Sequence, residues 1–136
     1  MRNFRSILIY IRESNNLPEA NALVRELDFK LEKKAFETAK QYNRISDYQA
    51  SIASIDNFII DFPGTTLREE AMYIKFDSAY QLASKSVEYK KKTRLETAVS
   101  NYKKFKASYA NSEFLEDATD KYEDLLKQLE QYSTQS

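Results

Sequence analysis

Phe58-x-x-Asp61-Phe62-Pro63-Gly64-Thr65-x-x-Arg68-Glu69-Glu70-Ala71 returns forty-seven residues later as Phe105-x-x-Ser108-Tyr109-Ala110-Asn111-Ser112-x-x-Leu115-Glu116-Asp117-Ala118. Aromatic, breaker pair, acidic pair and alanine come back in one register, and a weaker third copy ends in Pro18-Glu19-Ala20. A fixed period of this length marks a stack of similar units, each too small to bury its apolar face alone. The residues between the copies decide what the unit is.

Those residues are helical. Gly64 is the only glycine in 136 residues, and Pro18 and Pro63 are the only prolines. Strands would need a turn about every 8–12 residues, and the turn formers are missing. Glu, Lys, Arg, Ala and Leu fill the intervals, and all five favour helix. The expected fold is all-α, a solenoid of about six helices in antiparallel pairs, with residues 1–136 as one domain.

Stops and starts place the helices. The first runs over residues 3–14 with Phe4, Ile7, Leu8 and Ile11 on one face. The second begins at Pro18, which suits a first helical turn, and carries a stripe of Ala20, Leu23, Leu27, Leu31, Ala35, Ala39 and Tyr42. Ser46-Asp47 offers the third an N-cap, with Tyr48, Ile52, Ile55, Phe58 and Ile59 inward. Thr66 and Glu69 form a capping box for the fourth, which continues through Ala71, Ile74 and Ala79. Leu95, Ala98, Val99, Tyr102 and Phe105 mark the fifth. Phe114, Leu115, Ala118, Tyr122, Leu125 and Leu129 mark the sixth, before a polar tail at Ser133 to Ser136.

Ala39-x-x-Tyr42, Asp47-Tyr48-x-x-Ser51 and Pro63 together resemble the tetratricopeptide repeat. In that pattern small residues let paired helices approach, aromatics fill the gaps and a proline closes the second helix. Ala35 and Thr38 stand where Trp and Leu are usual, and Ala110 replaces the second closing proline. The resemblance implies a tetratricopeptide-like solenoid. The repeat is longer than that family's thirty-four residues, and the excess is expected near Ser86 to Lys92, as an extension of two helices.

Several functions are disfavoured by composition. Twenty-one basic residues balance twenty-one acidic ones, whereas nucleic-acid binding normally brings a basic excess. Without Cys or His, disulfides, thiolate chemistry, the commonest general base and the commonest transition-metal ligand are all missing. No catalytic, cofactor-binding or metal residue is therefore expected. The run Ile7 to Ile11 is five residues, against about 20 for a membrane span. Arg12-Glu13 follows it where a signal peptide would place small residues.

Leu31-Glu32-Lys33-Lys34-Ala35-Phe36-Glu37-Thr38-Ala39-Lys40-x-Tyr42 is similar to the BamD family. So are the Asp61 to Tyr73 stretch and Leu82-Ala83-x-x-Ser86-Val87 with the basic run and Arg94-Leu95 after it. The likeness spans most of the chain and is closest to the C-terminal half of Bacteroidetes-type members. It implies a non-catalytic lipoprotein of the machinery that assembles β-barrel proteins, on the periplasmic face of the outer membrane. Its partner would be a POTRA domain of a BamA-like subunit, and a lipid anchor would be the only membrane attachment. The family's signal peptide, lipidated Cys and N-terminal repeats have no counterpart here, so a fragment is expected, with Met1 added to it. A generic tetratricopeptide adaptor that binds a peptide or protein is the alternative.

Adjacent acidic residues such as Glu69-Glu70 and Glu116-Asp117 point about 100° apart on a helix, so they suit helix starts better than a shared ligand. Lys90-Lys91-Lys92, and Lys103-Lys104 with Lys106, could meet an anionic surface. Tyr42, Tyr48, Tyr102 and Tyr122 are expected in the core, and Tyr89 and Tyr132 in solvent, where Tyr makes an effective interface anchor. The expected partner-binding residues are Arg44, Asp47 and Tyr48 at one corner and Tyr89, Lys90, Lys91, Lys92 and Arg94 at another.

Overall fold

Five helices follow one another in the computed structural model, which describes residues 18–133. They are α1 (Pro18–Arg44), α2 (Tyr48–Asp61), α3 (Arg68–Ser84), α4 (Glu88–Ser108) and α5 (Leu115–Ser133). All regular structure among the described residues is helical. The helix expected over residues 3–14 lies outside them.

Two three-residue turns make the hairpins α1–α2 and α3–α4, so the paired helices run antiparallel. The first turn is a Schellman motif: Ser46 takes a left-handed φ of 66°, Asp47 N–H donates to Tyr42 O at 2.9 Å and Ser46 N–H to Asn43 O at 3.1 Å. Asp47 then caps α2 as expected, its carboxylate accepting from Ala50 N–H at 3.3 Å. The second turn, Lys85 to Val87, is equally short, so the excess length of the repeat is helical. The α4 helix has 21 residues against 14 in α2.

The sequence repeat holds at the level of single hydrogen bonds. Phe62 N–H closes α2 on Phe58 O at 2.9 Å, and Tyr109 N–H closes α4 on Phe105 O at 2.8 Å. Leu67 N–H donates to Thr65 Oγ1 at 3.0 Å, and Phe114 N–H to Ser112 Oγ at 3.1 Å. These bonds replace the expected capping box. Because α3 starts at Arg68, Glu69 stands one position too early to reach back to the N-cap, and Leu67 there has no side-chain cap. Glu69 instead accepts from Ser112 Oγ at 3.0 Å, in the next repeat.

Packing divides the chain after Ala35. In the part before it, Val24 is 2% exposed while Leu23, assigned to the apolar stripe, is 48% exposed. The assigned row steps mostly by four residues, and each such step drifts about 40° round the helix, so it cannot stay on one face. From Phe36 onward, α3 packs against α2, α4 and α5, and α4 against α5. Phe76, Ala79 and Ala83 of α3, Leu95, Ala98 and Tyr102 of α4, and Ala118 and Leu125 of α5 make the main core. Phe36 meets Phe58 with ring centres 5.6 Å apart. The pattern's small residues meet as expected: Ala39 and Ser51 are both fully buried, and Ser51 Oγ donates to Ala39 O at 3.2 Å. Tyr102 is core, stacked on Tyr122 at 4.2 Å. Tyr42, Tyr48 and Tyr122 are only half-buried, because phenol groups at helix surfaces keep their hydroxyls near polar partners.

Parallel helices α3 and α5 are laced in register. Asp77 meets Lys121, Tyr80 meets Asp124 and Ser84 meets Gln128, each pair 44 residues apart. Tyr73 meets Asp117 at the same interval. The partners step by three and four residues, so they occupy one face of each helix.

Candidate functional site

A single lysine links the two hairpin turns that lie beside the residues singled out in the sequence. Tyr48 opens α2, and its hydroxyl donates to Ser46 Oγ at 3.2 Å. Lys85, in the turn of the second hairpin, donates to the same hydroxyl at 3.1 Å and lies 5.0 Å above the Tyr48 ring. The hydrogen bond with Ser46, then the one from Lys85, holds the Tyr48 pKa below its ordinary 10.0, although burial works against them. One lysine thus ties the tip of α1–α2 to the tip of α3–α4.

Around this tie the surface is basic and apolar. Ile45 and Val87 are exposed beside the two turns, and Tyr89 is 81% exposed on the first turn of α4. Lys90 lies 5.5 Å from the Tyr89 ring centre. Arg44, Lys85, Lys90 and Lys92 are exposed and Lys91 half-buried. Of the nearby acids, Asp47 is used as a cap and Glu88 accepts from Tyr132 Oη at 3.1 Å. Tyr132 is therefore half-buried rather than free in solvent. Exposed aromatic and aliphatic groups near cations can bury apolar area and pair with acidic side chains of a partner.

Arg94 reaches back to the turn, its Nη1 donating to Ser86 Oγ at 2.7 Å, and also lines a cavity between α2 and α4. Lys85, Ile45 and Val87 were not singled out in the sequence. Lys85 reads there as an ordinary helix end, and only the neighbouring hairpin gives it a partner. The acidic pairs separate as their helical geometry requires: Glu69 binds Ser112, while Glu70 pairs with Lys40 at 3.2 Å.

A family model, YfiO, described as an outer membrane lipoprotein, matches residues 27–135. The match takes in most of α1 and all of α2 to α5. No curated protein matches the chain. Among the described residues no helix is long and apolar enough to cross a membrane. With its paired helices, its 47-residue repeat and a family match over four-fifths of its length, this chain belongs to the YfiO family of BamD-like outer membrane lipoproteins.

Proposed function

We propose that the chain is a non-catalytic, protein-binding scaffold of the machinery that assembles β-barrel proteins into the outer membrane. It corresponds to the C-terminal half of a BamD-like lipoprotein of the Bacteroidetes type, working as one repeat domain on the periplasmic face. Its partner is a POTRA domain of a BamA-like subunit, and a lipid anchor holds it to the membrane.

The observation that supports this reading most is the Lys85–Tyr48 tie. It links the two hairpin turns, and Ile45, Val87 and Tyr89 are exposed in or next to those turns, as are Arg44, Lys85, Lys90 and Lys92. Such a surface favours an acidic protein partner, with the charges steering approach and the apolar groups supplying most of the affinity.

Calorimetric titration with the purified POTRA domains of the source organism's barrel subunit tests it. Binding is expected, weakened about tenfold or more by Tyr89→Ala, as at an interface anchor. Lys90→Glu together with Lys92→Glu should slow association and flatten its dependence on salt, because the attraction that salt screens is gone. No binding, or binding indifferent to all three substitutions, would reject the assignment.

A further inference from the structure

We infer that the cleft between α2 and α4 is a second binding site, which takes an acidic segment of a partner protein: one apolar side chain into the cleft, and the carboxylate beside it onto Arg94. This goes beyond the hairpin tips and does not rest on what they bind. Helices α2 and α4 each pack on α3 and leave a gap between them, a concave cavity of about 270 Å³. Ala79 and Leu82 of α3 and Ile52 of α2 make its apolar surface. That volume is just under the roughly 300–1,000 Å³ of sites for drug-sized ligands, which suits one or two side chains rather than a cofactor.

Charge decides which segment fits. Lys75 and Asp56 both line the cavity and neutralise each other at 2.7 Å. Arg94 is left as the unbalanced cation. It is half-buried, its guanidinium donates to the neutral Ser86 hydroxyl, and among the described residues no carboxylate pairs with it. A guanidinium carries five N–H donors in a planar fork that a carboxylate matches with two parallel bonds. Partial burial strengthens such a pair relative to one in water, because the surrounding dielectric is lower. Thr97 and Asn101 continue along α4 past Arg94 and offer polar edges to a passing backbone. An acidic segment with an apolar anchor therefore meets every feature of the cleft, and a basic one would place its charge against Arg94.

The test is a nuclear magnetic resonance titration of the whole chain with two blocked hexapeptides. One has phenylalanine followed by aspartate at its centre, and the other has asparagine in place of the aspartate. The aspartate peptide should give saturable shifts at the Ala79, Thr97 and Asn101 amides. The asparagine peptide should bind about tenfold more weakly, the difference expected of a charge-assisted pair. Arg94→Gln should remove that preference, and Arg94→Lys should restore part of it. Thr97→Trp, at an exposed position that tolerates the change, should block the cleft while leaving the fold intact. Tyr89→Ala should leave this binding unchanged, which separates it from the tip surface. Equal binding of the two peptides, shifts centred elsewhere, no saturation at millimolar peptide, or binding of decanoate in place of the peptide would overturn the proposal.

Discussion

Lys121 and Asp77 stand 2.7 Å apart across the parallel helices α3 and α5, with 21% and 17% of their side chains exposed. Each also has further partners. Asp77 accepts from Asn43 Nδ2 of α1 at 3.0 Å, and Lys121 reaches Asp117 at 2.7 Å and Tyr73 Oη at 2.8 Å. Three helices converge on this one ion pair. Removing the ammonium would leave Asp77 partly desolvated without its counter-charge. Lys121→Met is therefore expected to cost about 2 kcal/mol in urea unfolding, below the range for fully buried pairs because water still reaches both groups. Lys121→Arg should recover most of that loss.

The same cluster sets the response to alkali. Burial, then the charge of Asp124 at the end of a 2.7 Å hydrogen bond, pushes the Tyr80 hydroxyl up to about 12. Burial and Asp117 raise Tyr73 in the same way. Burial works to lower the Lys121 pKa, but its bonds to Asp117, Asp77 and Tyr73 outweigh it and the pKa is raised. A raised folded-state pKa contributes stability that is complete below the unfolded value and lost as pH rises through the folded one. Stability should thus hold to about pH 10, the ordinary value of Tyr, and fall steeply by about pH 12. Chemical denaturation at stepped pH, read beside tyrosinate absorbance, checks this; a decline beginning near neutrality would contradict it. At the acid end Asp117 is held below its ordinary 3.8, mainly by Lys121, so its contribution disappears only below that pH.

Ser46 carries the left-handed φ that closes the first hairpin, a conformation that glycine adopts without steric cost. Ser46→Gly should stabilise the chain by about 0.5–1 kcal/mol, relief of that strain exceeding the added freedom of the unfolded chain. The lost hydroxyl contact with Tyr48 is exposed and contributes little. A higher thermal midpoint is the expected result, and a lower one would mean that the Ser46 side chain matters more than its backbone.

Adjacent leucines on α5 should behave differently. Leu125 is fully buried in the main core, whereas Leu126 is 40% exposed. Leu125→Ala should cost about 3 kcal/mol through lost burial and the cavity left behind. Leu126→Ala should stay within about 0.5 kcal/mol. Equal effects would indicate a different rotation of α5 on α4.

The sequence by itself determined the helical class, the repeat and the hairpin turns. Each of these depends on interactions a few residues long: the scarcity of breakers, Asp47 reaching Ala50, Phe62 and Tyr109 closing their helices, Ala39 beside Ser51. Such signals survive without any knowledge of neighbours, and two copies 47 residues apart reinforced each other. Only the tertiary structure decided what crosses from one hairpin to the next. The 44-residue spacing that joins Asp77 to Lys121 and Tyr80 to Asp124 is about one turn shorter than the repeat. It reflects the stagger of α3 against α5, set by how Phe76, Leu95, Tyr102 and Leu125 fill shared space. Packing of α2 on α3 likewise brings Lys85 to Tyr48, and Arg94 comes to line the gap between α2 and α4. Long polar side chains follow whichever partner the packing brings within reach, and no local pattern encodes that distance.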